Sequence, residues 1–318
     1  MKTLLILGGS GFVGKSIINS FLENRLIKFK IDKLIILSRN TNYLKREFKI
    51  KVNKKIIFKN IDLFNAKKLP DCNYIIHAAE KNLASATNKK IFSKYFNLTK
   101  KICNYFKKYE KIKFLYLSSG AVYGKNDIKQ KLKETAPLNY NNLTGIKREY
   151  AKYKVKSERY LKNNFDKNKL IIARLFSFTG QHLAKNKNYA VGNFFDDVEK
   201  SRKIKIKSTN PNYIYRSYLD SEDLVEFLMQ LIVKRNITNN NIFNIGSDKA
   251  ISIMQLAKKI SKISNISISY NKKSTSKLID YYVPNIDKIK KNYQIKETIK
   301  LENSLFKILK SIKKNRVN

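Results

Sequence analysis

Ser119, Tyr150 and Lys154 are the residues of this chain whose types suit proton transfer beside a moving hydride. When hydride passes to or from a carbon, some group must give or take the proton on the attached oxygen. A free phenol titrates near pH ~10, too high for facile exchange at neutrality. An ammonium one helical turn away favours the phenolate and brings that value down. Tyr150 therefore reads as an acid/base, Lys154 as the group that activates it, and Ser119 as a second hydroxyl polarising the same oxygen. Tyr150, Lys154 and Glu158 recur at every fourth position and share one face of a helix. The bare spacing carries little weight, because 19 Tyr in a Lys-rich chain give roughly three such Tyr/Lys pairs by chance. Tyr109 and Lys113 make another, but they precede an apolar strand, whereas Tyr150 opens a helix after the strand that delivers Ser119.

These side chains need a scaffold, and the stretch from Lys2 to Lys15, KTLLILGGSGFVGK, begins it. Thr3 to Leu7 reads as a buried strand, Gly8, Gly11 and Gly14 follow at regular spacing, and Ser16 to Leu22 reads as a helix. Glycine permits backbone angles that a side chain forbids and lets an anion come against bare main chain. The helix that follows aims its free N–H groups and the positive end of its dipole at the same spot. Directly after an N-terminal strand, this arrangement points to the pyrophosphate of a dinucleotide.

Further strands at Lys33 to Ser38, Lys55 to Phe58, Tyr74 to Ile76, Phe114 to Leu117 and Leu170 to Phe176 alternate with helical stretches such as Asn88 to Lys108. That alternation predicts an α/β chain with a Rossmann-like, doubly wound parallel sheet. Arg39 ends the second strand with no acid beside it, which leans towards a 2′-phosphate and hence NADP over NAD. Asp62 and Leu63, after the third strand, are expected to frame the adenine. His77-Ala78-Ala79 closes the fourth strand, and the two alanines leave room for a ligand; His77 is assigned no chemistry. The polar segment from Lys125 to Asn142 reads as a loop over the site. Beyond Phe176 come helices at Gly192 to Lys200, Glu222 to Val233 and Ser252 to Ile263, the last capped by Ser252, and strands at Lys203 to Lys207 and Asn241 to Ile245. Residues 1–176, with returning segments near 216–246, are expected to form the nucleotide-binding domain. Residues 177–318 are expected to form a smaller C-terminal α/β domain for the substrate.

At 318 residues and 42% hydrophobic, the chain can bury a full core. A net charge of +43 would ordinarily raise nucleic acid as a partner. Here Lys is spread through every segment without a dense basic arm, so the charge reads as a solvated surface that steers an anionic substrate inward, and no nucleic-acid partner is expected. Cys72 and Cys103 offer no disulfide framework, and no apolar run is long enough to span a membrane. The cytoplasm is the expected location, and no metal is expected.

Taken in order, Gly8, Gly11 and Gly14, the His77-Ala78-Ala79 strand end, Asn97, Ser118-Ser119 before Val122-Tyr123-Gly124, Tyr150 with Lys154 and Glu158, and Arg216 ahead of Asp223 form one set. Over nearly its whole length the chain resembles an extended short-chain dehydrogenase/reductase of the nucleotide-sugar epimerase/dehydratase family. The resemblance implies an NAD(P) cofactor whose pyrophosphate lies on Gly8, Ser10, Gly11, Phe12, Val13 and Gly14. Arg39, Asp62, Leu63, Ala78, Ala79 and Asn97 would line the rest of it, with Tyr150 and Lys154 at the nicotinamide. Ser119, Tyr150 and Lys154 would be catalytic. Ala121, Asn193 and Arg216 would meet a nucleotide sugar, Arg216 at its diphosphate, where a forked guanidinium is well suited. A homodimer is also implied.

Two departures narrow the reaction. The family's 4,6-dehydratases place an Asp-Glu pair just after the Ser/Thr of the fifth strand, and its decarboxylases a Glu. This chain has Gly120 and Ala121 there, so elimination lacks its proton carrier. What remains is a 4-keto reductase drawing on NADPH, or a 4-epimerase with tightly held NAD. The runs Ser119-Gly-Ala-Val-Tyr-Gly, Arg216-Ser-Tyr-Leu and Tyr282-Val-Pro284 are similar to those of reductases acting on nucleotide-linked 4-keto-6-deoxyhexoses. The second departure is Tyr153, which stands where many members have Ser.

Overall fold

Leu4, Leu5, Ile6 and Leu7 are all fully buried, which a strand achieves when both of its faces are covered. The computed structural model describes residues 2–50, 54–80, 89–184, 189–234, 241–270 and 277–317. In chain order its strands are β1 (Lys2–Leu7), β2 (Ile31–Ser38), β3 (Ile56–Asn60), β4 (Tyr74–His77), β5 (Lys113–Ser119), β6 (Leu170–Leu175) and β7 (Phe178–Thr179). They continue as β8 (Ile204–Ile206), β9 (Ile214–Arg216), β10 (Leu219–Asp220), β11 (Ile242–Ile245), β12 (Ile251–Ser252), β13 (Ile268–Tyr270) and β14 (Asp280–Tyr282). The helices are α1 (Phe12–Leu22), α2 (Thr41–Glu47), α3 (Lys90–Phe106), α4 (Gly145–Asn164), α5 (Ala190–Glu199), α6 (Ser221–Val233), α7 (Ile253–Ser264), α8 (Asp287–Tyr293) and α9 (Leu301–Val317).

The central sheet has 7 strands in the order β11-β6-β5-β4-β1-β2-β3, and its neighbours pair in parallel. This is the Rossmann-like sheet expected from the alternating pattern. Side chains alternate across it: Leu4, Ile6, Leu34 and Ile36 pack with α1, α6 and α8, while Leu5, Leu7, Ile35 and Leu37 pack with α3 and α4. A separate core joins Val191 and Phe194 of α5, Leu256 and Ile260 of α7, Leu305 and Ile308 of α9, and Ile204 and Ile206 of β8. The strand order reverses between β1 and β4, and a crevice outside the carboxyl ends of the strands is the ligand position that such a reversal creates.

Several elements differ from the sequence reading in ways that matter to the site. Helix α1 begins at Phe12, not Ser16, because Gly11 adopts an extended N-cap conformation and winding starts at once. Helix α2, absent from the sequence reading, is only 7 residues long and depends on one cap, in which the Asn40 side chain accepts from Tyr43 N. Helix α4 starts at Gly145, so Tyr150 stands in its second turn. The expected start of the third helix, Asn88, lies outside the described residues. Ser252 caps α7 as expected, in a full capping box with Gln255. The loop after β5 is tied down where Leu132 N donates to Val283 O and Asn285 N donates to Leu132 O, which joins it to the segment that follows β14.

Candidate active site

The glycine turn is shaped by contacts that leave no room for side chains. Gly8 has φ +97, and a Cβ there would lie 2.6 Å from Ala78 O and from the Ala79 Cα. A Cβ on Gly14 would sit 2.6 Å from Gly9 O, and one on Gly9 would sit 2.1 Å from a methyl carbon of Ile36. Gly9, which the sequence reading passed over, is thus as constrained as its neighbours; the doubled glycine was the available signal. Gly11 differs, since the nearest atom to its added Cβ would be Gly8 O at 3.8 Å. The protein's own packing does not require glycine there, whereas an incoming phosphate resting on bare backbone does. Helix α1 has no side-chain cap and no acid in its first turn, so its leading N–H groups face that spot unspent. These features fit the pyrophosphate of a dinucleotide.

Around this turn the expected cofactor residues divide. Ala78 and Ala79 close against Gly8 at the end of β4. Arg39 is exposed at the end of β2, with no acid next to it in sequence. Asp62 accepts from Phe64 N and from the Asn65 amide, so its carboxylate holds its own turn, and the Leu63 side chain is buried in the core. Asn97 stands apart from the other expected cofactor residues. It is exposed on α3, whose inward face carries Phe92, Tyr95, Leu98, Thr99 and Ile102, so helical phase turns Asn97 away from the sheet. Thr99 does reach inward, with its hydroxyl 3.1 Å from His77 Nε2. His77 is wholly buried, and desolvation lowers its pKa to about 4, which keeps its ring neutral.

Ser119 ends β5, and its hydroxyl accepts from Ala121 N at 3.2 Å. That leaves its proton free to point outward. The Ser119 hydroxyl lies close enough to Tyr150 to favour its phenolate, so the structure brings these two together. Lys154 follows one turn along α4 and is 3% exposed. Its Nζ lies 5.7 Å from the centre of the Tyr150 ring, donates to Leu117 O at 2.7 Å, and is ion-paired with Glu80.

Glu80 overturns one expectation about electrostatics. Lys154 was expected to depress the Tyr150 pKa, yet burial and the negative charge of Glu80 push it up, with the nearby Ser119 hydroxyl opposing them. The ammonium is matched at close range by a buried carboxylate, so little of its field is left for the phenol. Glu80 follows Ala78 and Ala79 directly in sequence; that acid was legible, but its partner was not. Tyr153, the second departure, is buried against the same pair with its ring centre 5.4 Å from Lys154 Nζ, and burial and Glu80 raise its pKa as well. Glu158, on the same helix face, has a different job. It receives the Ser118 hydroxyl and pairs with Arg174 at 2.7 Å, both side chains being 3% exposed.

On the substrate side, Arg216 meets an anion that the sequence reading did not foresee. Its Nη1 and Nη2 donate to the two carboxylate oxygens of Asp280 at 3.0 and 2.7 Å. Its guanidinium also lies 5.6 Å from the centre of the Tyr282 ring. Asn193 is half-buried on α5, one turn after Tyr189, whose phenol is close enough to Tyr150 to feel its charge. Ala121 is half-buried in the short turn of helix that follows Ser119. Gly120 beside it is fully enclosed: a Cβ there would lie 2.7 Å from the Tyr282 hydroxyl and 2.8 Å from Phe176 Cζ. Among the described residues no cluster of His, Cys, Asp or Glu could hold a metal ion, and no helix is long and apolar enough to cross a membrane.

Comparison with known proteins places the chain in a family and matches its fold. The family model described as the NAD dependent epimerase/dehydratase family matches residues 4–246. The chain is 27% identical to a dTDP-D-glucose 4,6-dehydratase of Dictyostelium discoideum, over 83% of this chain and 62% of that protein. It is 26% identical to a putative UDP-glucose 4-epimerase of Methanocaldococcus jannaschii, over 80% of this chain and 79% of that one. In fold it is similar to the crystal structure of UDP-glucuronic acid 4-epimerase from Bacillus cereus in complex with UDP-glucuronic acid and NAD. The TM-score is 0.81, at 18% identity, over 98% of this chain and 99% of that one.

Proposed function

The chain belongs to the NAD dependent epimerase/dehydratase family, and on that premise we propose that it reduces the C4 ketone of a nucleotide-linked 6-deoxyhexose. The observation that carries this reading is the closure of position 120. Tyr282 and Phe176 fill the volume into which a second acid would have to project, and Ala121 has no proton to give. A single proton donor, Tyr150 with Ser119 beside it, suffices for adding hydrogen to a ketone and is too few for expelling water.

The state of Tyr150 supports the same direction. Burial and Glu80 keep the phenol protonated, and reduction consumes that proton as the carbonyl oxygen becomes a hydroxyl. An oxidising first step would have to begin from the phenolate. Ser119 would donate its free proton to the same oxygen and hold it in place. The glycine turn and α1 would seat the pyrophosphate, Ala78 and Ala79 would lie along the cofactor, and Lys154, staying on Glu80 and Leu117 O, would present its third N–H to the nicotinamide ribose. When bound, the reduced nicotinamide supplies the hydride. Arg39, with no acid at the end of β2 to repel a 2′-phosphate, favours NADPH. Ala121 and Asn193 would border the sugar. Arg216 would take the sugar nucleotide's diphosphate in exchange for the Asp280 carboxylate, one charged acceptor for another.

The test is to incubate the protein with NADPH and a dTDP- or UDP-linked 4-keto-6-deoxyhexose. Stoichiometric oxidation of NADPH is expected, and the absence of oxidation with either ketone rejects the proposal. A second reading, 4-epimerisation, is favoured by the M. jannaschii relative. It requires NAD that stays with the protein through purification, and interconversion of UDP-glucose with its C4 epimer without net use of cofactor.

A further inference from the structure

Strand β14 carries two functional groups on alternate residues, so both project from the same side of the strand. Asp280 holds Arg216, and Tyr282 pairs in register with Arg216 across the parallel ladder to β9. The Tyr282 ring packs on Phe176, with centroids 4.6 Å apart. Its hydroxyl is held at Gly120, whose missing side chain makes the space for it. The same hydroxyl lies close enough to Ser119 for the serine hydroxyl to favour its ionised form.

These positions are hard to explain by packing alone. The phenol donates to Leu175 O at 3.4 Å, a distance beyond the usual O–H···O range. Tyr282 is half-buried, and a phenylalanine would fill the same volume without a hydroxyl to satisfy. Instead the hydroxyl is kept beside Ser119, the group at which the reacting oxygen must sit, with Arg216 on its other side. Gly120 and Tyr282 are thus a matched pair: where a relative with an acid at this point of β5 would project a carboxylate, this chain brings a neutral phenol from its C-terminal half.

We propose that Tyr282 is a substrate-contacting residue whose hydroxyl, together with Ser119, holds a sugar oxygen at the reacting carbon. The idea rests on the nucleotide-sugar reading above and extends it. It assigns recognition of the sugar, as distinct from the nucleotide, to β14, and it makes glycine at 120 a condition of that recognition.

Calorimetric titration of UDP-glucose, dTDP-glucose, UDP and NADPH into the wild type, Tyr282→Phe and Gly120→Ala tests this. For Tyr282→Phe, affinity for the preferred nucleotide sugar is expected to fall about tenfold, with UDP and NADPH binding and the melting temperature unchanged. Gly120→Ala, which pushes a methyl against the phenol, should reproduce the loss with Tyr282 still present. Unchanged sugar affinity in Tyr282→Phe overturns the proposal, and so does an equal loss for UDP, which would mean that Tyr282 merely supports Arg216. If the wild type binds no nucleotide sugar, the parent reading and this one fall together. If it binds them and Tyr282→Phe loses them, but NADPH is never oxidised, only the reductase reading fails.

Discussion

Replacing Glu80 with Gln should shift the titration of Tyr150 by an amount the geometry allows one to work out. In the wild type, Lys154 is bonded to a buried carboxylate, 8% exposed, and its ammonium does little for the phenol. Glutamine keeps the side-chain shape and an acceptor oxygen but removes the negative charge. Two effects then act in the same direction on Tyr150: the repulsion from Glu80 disappears, and the Lys154 ammonium is no longer neutralised. A unit charge 5.7 Å from the ring centre is worth about 2 to 3 kcal/mol at an effective dielectric constant of about 20, or about two pH units. For a reductase, in which Tyr150 must be protonated, the alkaline limb of kcat/KM should therefore move down by about two units, from beyond the ordinary tyrosine range to within it. The assay is NADPH oxidation with the nucleotide-linked ketone as a function of pH, at saturating NADPH. A limb that stays put, or moves up, would refute the claim that Glu80 holds the phenol protonated. The substitution also leaves a buried ammonium without its counter-ion, so a stability loss of about 3 kcal/mol or more should accompany it in urea unfolding.

Other outcomes follow from the same structure. Gly11→Ala should leave the urea midpoint almost unchanged, since the nearest contact is an ordinary one, yet weaken NADPH binding more than about tenfold by fluorescence titration. Gly14→Ala, whose Cβ would overlap the Gly9 backbone, should destabilise the fold by about 2 kcal/mol or more, and equal behaviour of the two variants would contradict the assignment of the turn. Arg39→Ala should lower affinity for NADPH by about tenfold or more while leaving NADH nearly unaffected; parallel losses would remove the argument for NADP. His77 keeps a neutral ring down to about pH 4 in the fold but protonates near 6.5 when unfolded. The unfolded chain therefore binds the extra proton, and stability should fall as pH drops from about 6.5 to about 4, by about 3 kcal/mol in all. His77→Gln should flatten that part of the stability profile measured by urea unfolding, and an unaltered slope would show that the buried imidazole is not its source.

The apolar runs from Leu4 to Leu7 and Leu34 to Leu37, and the glycines between strand and helix, determined the sheet and the nucleotide turn without help from anything distant. Strand burial and glycine spacing are local properties, and the side-chain period places each residue on its face. The sequence likewise set Tyr150 and Lys154 one helical turn apart and put Ser119 at a strand end, because helix geometry and strand ends are also read within a few residues.

What the tertiary structure decided are the pairings between segments far apart in the chain. Glu80, beyond the end of β4, meets Lys154 on α4 and reverses the expected direction of the Tyr150 pKa. Asp280 takes the guanidinium of Arg216, and Tyr282 occupies the space that glycine leaves at 120. The exposure of Asn97 has a related origin: helical phase, fixed by which residues of α3 the sheet buries, sets it on the outer face. Charge and volume act through space, so their partners are set by the fold and not by proximity along the chain.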